Sequence, residues 1–343
     1  MKLRLGVIGL NDQWEKRYLP ALRVLEDRFV LTAIYEPVAQ RAALAARDVG
    51  ITTHDSFRTL CRRPDIDAVL VLNTHWLGPL PILAACEYGK AVYLGSRVVL
   101  SLEETTQIRD AVRQSGVAFM VEFARRYSPA TVRLKELMAT VLGSPRLLFC
   151  HRRLSHYLKC NGLSHITPSQ ALHLDLIELV DWCRFVAGRS PIKVMGVVHR
   201  SSHPDDVDYM MMSLNFGSAS EGREPNVLAQ ISCGKYLPPH WREAVNYRPL
   251  AELQVVCERG VAFVDLPTTL VWFDEAGRHQ ESFDNERPLG ERLLFCFHRM
   301  VTSLVQRMSD IEDLHQTQRI IESLEQSART GQCVFLSSER HKG

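Results

Sequence analysis

LRLGVIGLNDQWEKRYLPALRVLEDRFVLTAIYE, residues Leu3 to Glu36, decides the fold. Leu3–Ile8 is a short apolar run and reads as a buried parallel strand. Gly9 ends it, a polar turn follows, and LPALRVLED has helical spacing. FVLTAIY, from Phe29 to Tyr35, is a second strand that stops at Glu36. The alternation continues outward. Pro37 starts a helix through PVAQRAALAARD, which Gly50 ends. Strands follow at Asp67–Leu72 and Ala91–Leu94, with PLPILAACEYG as a helix between them. Ser101 with Glu104 three residues on is a capping-box pattern. VAFMVEF then returns to strand.

Strand and helix alternating at this spacing make a parallel α/β sheet with right-handed crossovers. The expectation is a Rossmann-type domain over residues 1–122. The carboxyl ends of its strands, at Ile8, Tyr35 and Leu72, share one edge, where ligands of such sheets bind. Gly9 turns the chain toward a helix N-terminus, which offers N–H groups and a positive dipole end to a pyrophosphate. Glu36, 27 residues later, can accept the hydroxyls of an adenosine ribose and would repel a 2′-phosphate. These features predict a dinucleotide, with NAD favoured over NADP. The loop departs from G-x-G-x-x-G, reading Gly9-Leu-Asn11-Asp-Gln13-Trp14. Asn11 tolerates left-handed dihedrals, Asp12 adds a negative charge near a phosphate, and Trp14 fills a position normally without a side chain. Gly9, Asn11, Gln13, Trp14 and Glu36 are the candidate cofactor-binding residues of this stretch.

The whole chain has 343 residues, enough for about two domains. With 41 basic and 39 acidic side chains, its formal charge of +2 gives no global field toward nucleic acid or an anionic membrane. Nine cysteines without a CxxC pair, several in apolar runs, read as buried reduced thiols, and no metal site is expected. The apolar runs fall short of a membrane span and the N-terminus lacks a signal-peptide pattern, so a cytoplasmic protein is expected.

Beyond Glu122 the pattern changes to a second domain, 123–343. A helix runs from about Pro129 to Val141. Thr167 caps a long helix with Pro168 at its first position, ending at Gly188. From Ile192 longer strands predict an open, mostly antiparallel sheet, with hairpin turns at Arg259-Gly260 and Glu275–Gly277. Met210, Met211 and Met212 read as strand packing. The Pro-rich segment Lys235–Arg242 extends a strand into a loop suited to closing over a ligand or packing on a neighbour. Two helices follow, from about Glu291 to Arg307 and Ile311 to Ser327. The fold class is thus α/β: an N-terminal Rossmann domain, then an α+β domain on an open sheet.

Taken in order, GVIG…LPAL, YEPVAQRAALAARDVG, RPDIDAVLVLNT, ILAACEYGKAV, FARRYSPATVRLKEL, VDWCRFVAG and IIESLEQSARTGQCVFL resemble the glucose–fructose oxidoreductase / inositol dehydrogenase family over nearly the whole chain. The resemblance implies a nicotinamide cofactor, a small-molecule substrate and an oligomer built on the outer face of the C-terminal sheet. It also implies a catalytic lysine in a Glu-Lys-Pro motif, where this chain has Gly95-Ser96-Arg97. Arg97 stays cationic and cannot shuttle a proton, but suits an anionic substrate. Asn73-Thr74-His75-Trp76 falls at the nicotinamide end, where His75 can exchange a proton and Trp76 can stack on a ring. The segment with His151, His156, Tyr157 and His165 corresponds to the family's substrate-contacting region. The family's helical Asp and His, four apart, fit in two ways. Matching DWCRFVAG puts Glu178 at the histidine position and Leu174 at the aspartate. Matching by residue type uses His173 with Ser169. Asp181 shares a face with Glu178.

The catalytic candidates are therefore His75, Ser96, Arg97, Tyr157, His173 and Glu178, with Asn73, Thr74 and Trp76 added to the cofactor set. Two functions follow. One is an NAD(P)-dependent oxidoreductase with atypical catalytic residues, acting on a small metabolite that the basic loops suggest is anionic. The other is a non-catalytic dinucleotide- or metabolite-binding protein of the same fold.

Overall fold

The structure, a computed structural model, describes residues 1–74, 76–96, 98–155, 167–200, 207–217, 226–237, 243, 251–266, 268–303 and 309–336. His75, Arg97, His156, Tyr157, His165, most of the 216–226 loop and most of Lys235–Arg242 beyond its strand lie outside the described residues. The chain forms two compact units.

The first unit holds a six-stranded sheet of β1 (Leu3–Ile8), β2 (Phe29–Tyr35), β3 (Thr52–His54), β4 (Ala68–Val71), β5 (Ala91–Leu94) and β6 (Phe119–Val121). The order is β3-β2-β1-β4-β5-β6 and every pairing is parallel. This is the dinucleotide-binding strand order, and it brings the ends of β1, β2 and β4 to the edge where the order reverses. Five of the six β1 residues, all but Arg4, are buried, as is all of β4. Burial on both faces explains why these strands read as continuous apolar runs. The helices are α1 (Leu19–Val24), α2 (Ala39–Val49), α3 (Phe57–Arg62), α4 (Leu80–Glu87) and α5 (Leu102–Ser115). Ser101 and Glu104 complete the capping box at the start of α5.

The second unit contains α6 (Pro129–Leu137), α7 (Pro168–Ala187) and a nine-stranded sheet. Its strands are β7 (Pro145–Ser155), β8 (Lys193–Arg200), β9 (Val207–Asn215), β10 (Leu228–Leu237), β11 (Leu253–Cys257), β12 (Val261–Asp265), β13 (Thr269–Asp274), β14 (Gly277–Ser282) and β15 (Val334–Phe335). The order is β14-β13-β12-β11-β7-β10-β9-β8-β15, antiparallel except where β7 meets β10. Both expected hairpins form, β11–β12 and β13–β14. Thr167 caps α7 with Gln170 in a reciprocal capping box, satisfying N–H groups a helix start otherwise leaves open.

Two late helices are α8 (Leu289–Thr302) and α9 (Ser309–Thr330). The sequence places everything after 122 in one domain, whereas Arg287–His315 is part of the first compact unit. The cause is an apolar helix face. Leu293, Leu294 and Phe297 are buried, Phe297 meets Tyr93 edge to face at 5.5 Å, and His298 Nε2 lies 2.8 Å from the Met1 carbonyl. Periodicity reveals an apolar face but not the core that receives it.

Candidate functional site

In the first unit, the candidate residues of the glycine loop come together. Gly9 has φ +69°, and a Cβ there would lie 1.9 Å from the Asn73 carbonyl oxygen. Only glycine lets the turn after β1 approach the end of β4 this closely. Asn11 fixes the next position, donating to the Leu72 carbonyl at 3.2 Å and accepting from the Gln13 N–H at 3.0 Å. Asn73 Nδ2 reaches the Leu10 carbonyl at 3.4 Å. Trp14 is buried and opens a single π-helical turn, Trp14–Tyr18, that leads into α1. The wider turn, with the Tyr18 N–H bonded to the Gln13 carbonyl five residues back, gives a bulky side chain room where the usual loop has glycine.

Glu36 sits at the end of β2 with its side chain fully buried. It accepts from the Leu10 N–H at 2.7 Å and the Val38 N–H at 3.2 Å, and Arg41 approaches at 3.3 Å. Arg41 also donates to the Leu10 carbonyl at 3.0 Å. Arg41 thus stands over the Glu36 carboxylate. Leu10, Asn11, Asp12, Trp14 and Arg41 also line a cavity of about 200 Å³ that extends to α2. Thr74 is buried, whereas Trp76 is 72% exposed.

Ser96 leads to a group the sequence reading missed. Its Oγ lies 3.5 Å from Glu122, at the end of β6. The Glu122 carboxylate is fully buried. It is gripped by Arg17 and by the Tyr18 hydroxyl, and it accepts from the Tyr93 hydroxyl at 3.1 Å. Burial, then the Glu122 charge, pushes both phenols well above their ordinary range, so they remain donors. No local signal marks this cluster, because Arg17 and Glu122 are 105 residues apart.

In the second unit, three carboxylates spaced three apart on α7 each meet an arginine. Arg126 grips Asp181 with two nitrogens, one at 2.6 Å. Arg152 comes to 3.5 Å from Asp175, and Arg125 to 3.5 Å from Glu178. Side-chain exposure rises from 1% at Asp181 to 9% at Asp175 and 23% at Glu178. The helix face is thus an ion-paired seam, and Glu178 is its most accessible carboxylate. His173 is placed elsewhere on α7, with Nε2 3.1 Å from Gln318 of α9. His151 Nδ1 lies 2.6 Å from Ser232. Burial, and then Arg153, hold the His151 imidazole below its ordinary pKa, which favours the neutral ring. No group of three or more His, Cys, Asp or Glu side chains suited to a metal occurs among the described residues.

Residues 3–123 match the oxidoreductase family with an NAD-binding Rossmann fold. A scyllo-inositol 2-dehydrogenase (NAD(+)) of Bacillus subtilis is 27% identical over 56% of this chain and 58% of its own length. Inositol 2-dehydrogenase 3 of Saccharopolyspora erythraea is 34% identical over 45% of this chain and 46% of its own. A levoglucosan dehydrogenase solved with NADH and levoglucosan has a TM-score of 0.82 and 17% identity, covering 98% of this chain and 100% of that one. Residues 3–123 thus carry this oxidoreductase family's NAD-binding Rossmann domain, and over its length the chain is similar in fold to dehydrogenases of that kind.

In its alignments the chain spans about half the length of these curated relatives. The likeness to the solved dehydrogenase is one of fold. The family is NAD(P)-binding, and relatives include a D-xylose 1-dehydrogenase (NADP(+)) of Haloferax volcanii as well as the NAD(+) enzyme. No described helix is long and apolar enough to cross a membrane. The residues around Gly9 fit a dinucleotide in kind: a turn closed so tightly that only glycine fits, a helix start beside a cavity, and a carboxylate at the end of β2. Arg41, Glu122, Arg17, Arg125 and Glu252 are absent from the sequence-based candidates. A signal existed for Arg41, five residues after Glu36 on the first turn of α2, and for Arg125-Arg126 as a local basic pair.

Proposed function

We propose that the chain is an NAD(P)-dependent oxidoreductase of small polyhydroxylated metabolites. The observation that carries this reading is Gly9 at positive φ, packed against Asn73 where the strand order reverses. Gly9, Asn11, Gln13 and Trp14 form the loop that would hold the pyrophosphate, with Glu36 toward the adenosine ribose and Asn73, Thr74 and Trp76 toward the nicotinamide. The bound cofactor would supply the hydride acceptor or donor. Glu178 is the acid/base group of this reading, because it combines the family's histidine position with the greatest exposure in the α7 seam. NAD is preferred over NADP, since Arg41 is already engaged by Glu36 and a 2′-phosphate would meet that carboxylate.

The arginine pairing in the α7 seam bears on the substrate. Arg125, Arg126 and Arg152 each face a carboxylate, which favours a neutral polyol over the anion suggested by the basic loops. The outer face of the nine-stranded sheet exposes Phe149, Met195, Val197 and Leu228, a surface suited to a homo-oligomer.

Titration of the protein with NADH and NADPH, followed by quenching of tryptophan emission, is the test. Saturable binding, tighter for NADH, with NAD-linked oxidation of a cyclitol or sugar is the expected result. Absence of binding to either reduced form would sink the oxidoreductase reading. Binding without turnover across a broad polyol screen would move the chain to the non-catalytic alternative, which the serine at the family's lysine position motivates.

A further inference from the structure

Arg125 is buried and serves two carboxylates. Its Nη1 grips Glu252, the residue before β11, while its Nε lies 3.5 Å from Glu178. That Nε is buried and makes no hydrogen bond among the described residues. The guanidinium also stacks over Trp182 at 5.2 Å, which fixes its plane. Burial works against the charge, and Glu252 and then Glu178 more than offset it, so that Arg125 remains cationic.

An unsatisfied buried donor is costly, and it is most costly on a charged group. Its persistence here has a geometric reason. Glu252 draws the guanidinium toward β11, which leaves Nε facing Glu178 without closing on it. One cation between two carboxylates leaves the trio one negative charge in excess. Glu178 therefore feels an attraction that Glu252 partly cancels. Other charged or titratable groups border Arg125 and the seam: Cys150 and Arg152 on β7, Cys233 and Lys235 on β10, Asp175 and Asp181 on α7, and Arg126 before α6.

We propose that Arg125 and Glu252 are positioning residues that set the pH at which Glu178 takes up and gives back a proton. The proposal rests on the reading that Glu178 handles the proton of the reaction. In that role Glu178 takes the hydroxyl proton of an alcohol substrate as the hydride leaves for the cofactor. In reduction it returns that proton to the carbonyl oxygen. A carboxylate held at full strength by Arg125 would be too weak a base. The competing claim of Glu252 keeps it stronger.

The test uses the full-length protein labelled with 13C at the glutamate side-chain carboxyl carbon, titrated by NMR without cofactor. The Glu178 resonance is identified by its loss in Glu178→Gln. Glu252→Gln removes the competing charge and leaves Arg125 a single carboxylate partner. The Glu178 midpoint then falls by about one pH unit, and the acid limb of the kcat/KM profile moves to lower pH with it. Glu252→Asp restores both toward the parent values. Glu252 is one-third exposed and glutamine has its shape, so folding is retained. A Glu178 midpoint that stays in place or rises in Glu252→Gln overturns the proposal. If the midpoint falls while Glu178→Gln keeps full turnover, the coupling stands and the acid/base reading of Glu178 fails instead.

Discussion

Replacing Gly9 by alanine tests the dinucleotide loop where its geometry is least forgiving. At φ +69° an alanine sits in the left-handed region, which costs an L-residue about 1–2 kcal/mol. The new Cβ would stand 1.9 Å from the Asn73 carbonyl oxygen and 2.7 Å from its carbon, both backbone atoms. Relief requires the end of β4 to retreat by roughly 1 Å, since real Cβ contacts stay beyond 3.0 Å. That movement strains the Leu72 N–H bond to Ile8 (3.0 Å) and the Asn73 side-chain bond to Leu10 (3.4 Å), each worth about 1 kcal/mol. The sum is about 3–4 kcal/mol, a large part of a domain's stability. Gly50→Ala is the control. It carries a φ of +73° with nothing within 4 Å, so it costs only the dihedral term. Scanning fluorimetry and NADH titration read the two effects. Gly9→Ala should lower Tm well beyond Gly50→Ala and weaken NADH at least about tenfold, the equivalent of 1.4 kcal/mol. NADH affinity within twofold of the parent would refute the claim that this turn positions the cofactor.

Asp181→Asn removes the carboxylate that Arg126 grips with two nitrogens in the buried seam and should cost about 3–5 kcal/mol, seen as an earlier urea transition in the second unit. Burial pushes the Cys61 thiol up to about 12 and Cys86 to about 11. Unfolded thiols ionise near 8.5, so between that pH and the folded values the unfolded chain binds fewer protons. Stability is therefore intact below about pH 8.5 and falls as pH rises through the folded values. Tyr18 and Tyr93 act in the same direction, and urea midpoints from pH 7 to 11 check the trend. An upward trend over that range would contradict it. If the proposed homo-oligomer forms through the outer face of the nine-stranded sheet, a charge at Phe149, on the exposed face of β7, should dissociate it in sedimentation velocity. A Phe149→Glu protein that sediments like its parent would place the interface elsewhere.

The elements were legible wherever the cause was local. Leu5–Ile8 and Ala68–Val71 are apolar throughout because both sheet faces are covered. Ser101 and Thr167 announce helix starts through side chains that satisfy nearby N–H groups. The glycine loop was legible in position but not in strategy. Trp14 reads as an obstruction, and the structure absorbs it in a π-turn. The state of Glu36 depends on Arg41 and on the Leu10 N–H, and a strand-end glutamate does not reveal which way it turns. The shared α7 face of Glu178 and Asp181 is legible from spacing, while its pairing with Arg125, Arg126 and Arg152 is a tertiary fact. Spacing placed the three carboxylates on one side, but their partners come from other elements.

The serine at the family's lysine position gains a physical setting from Glu122. A lysine there would bring a flexible ammonium to the edge of the sheet after β5. This chain instead brings the Arg17 guanidinium from the turn behind the glycine loop onto Glu122, 3.5 Å from the Ser96 hydroxyl. The positive charge beside Ser96 is thus a guanidinium held on a buried carboxylate. Arg17 leaves the π-turn one residue before Tyr18, and both reach the same carboxylate. An arginine cannot give up its proton at any working pH, and the two phenols are held in their protonated form. The cluster can therefore orient and stabilise, yet it is poorly suited to shuttling protons. In the proposed reaction we therefore assign proton transfer to a group outside the cluster, Glu178.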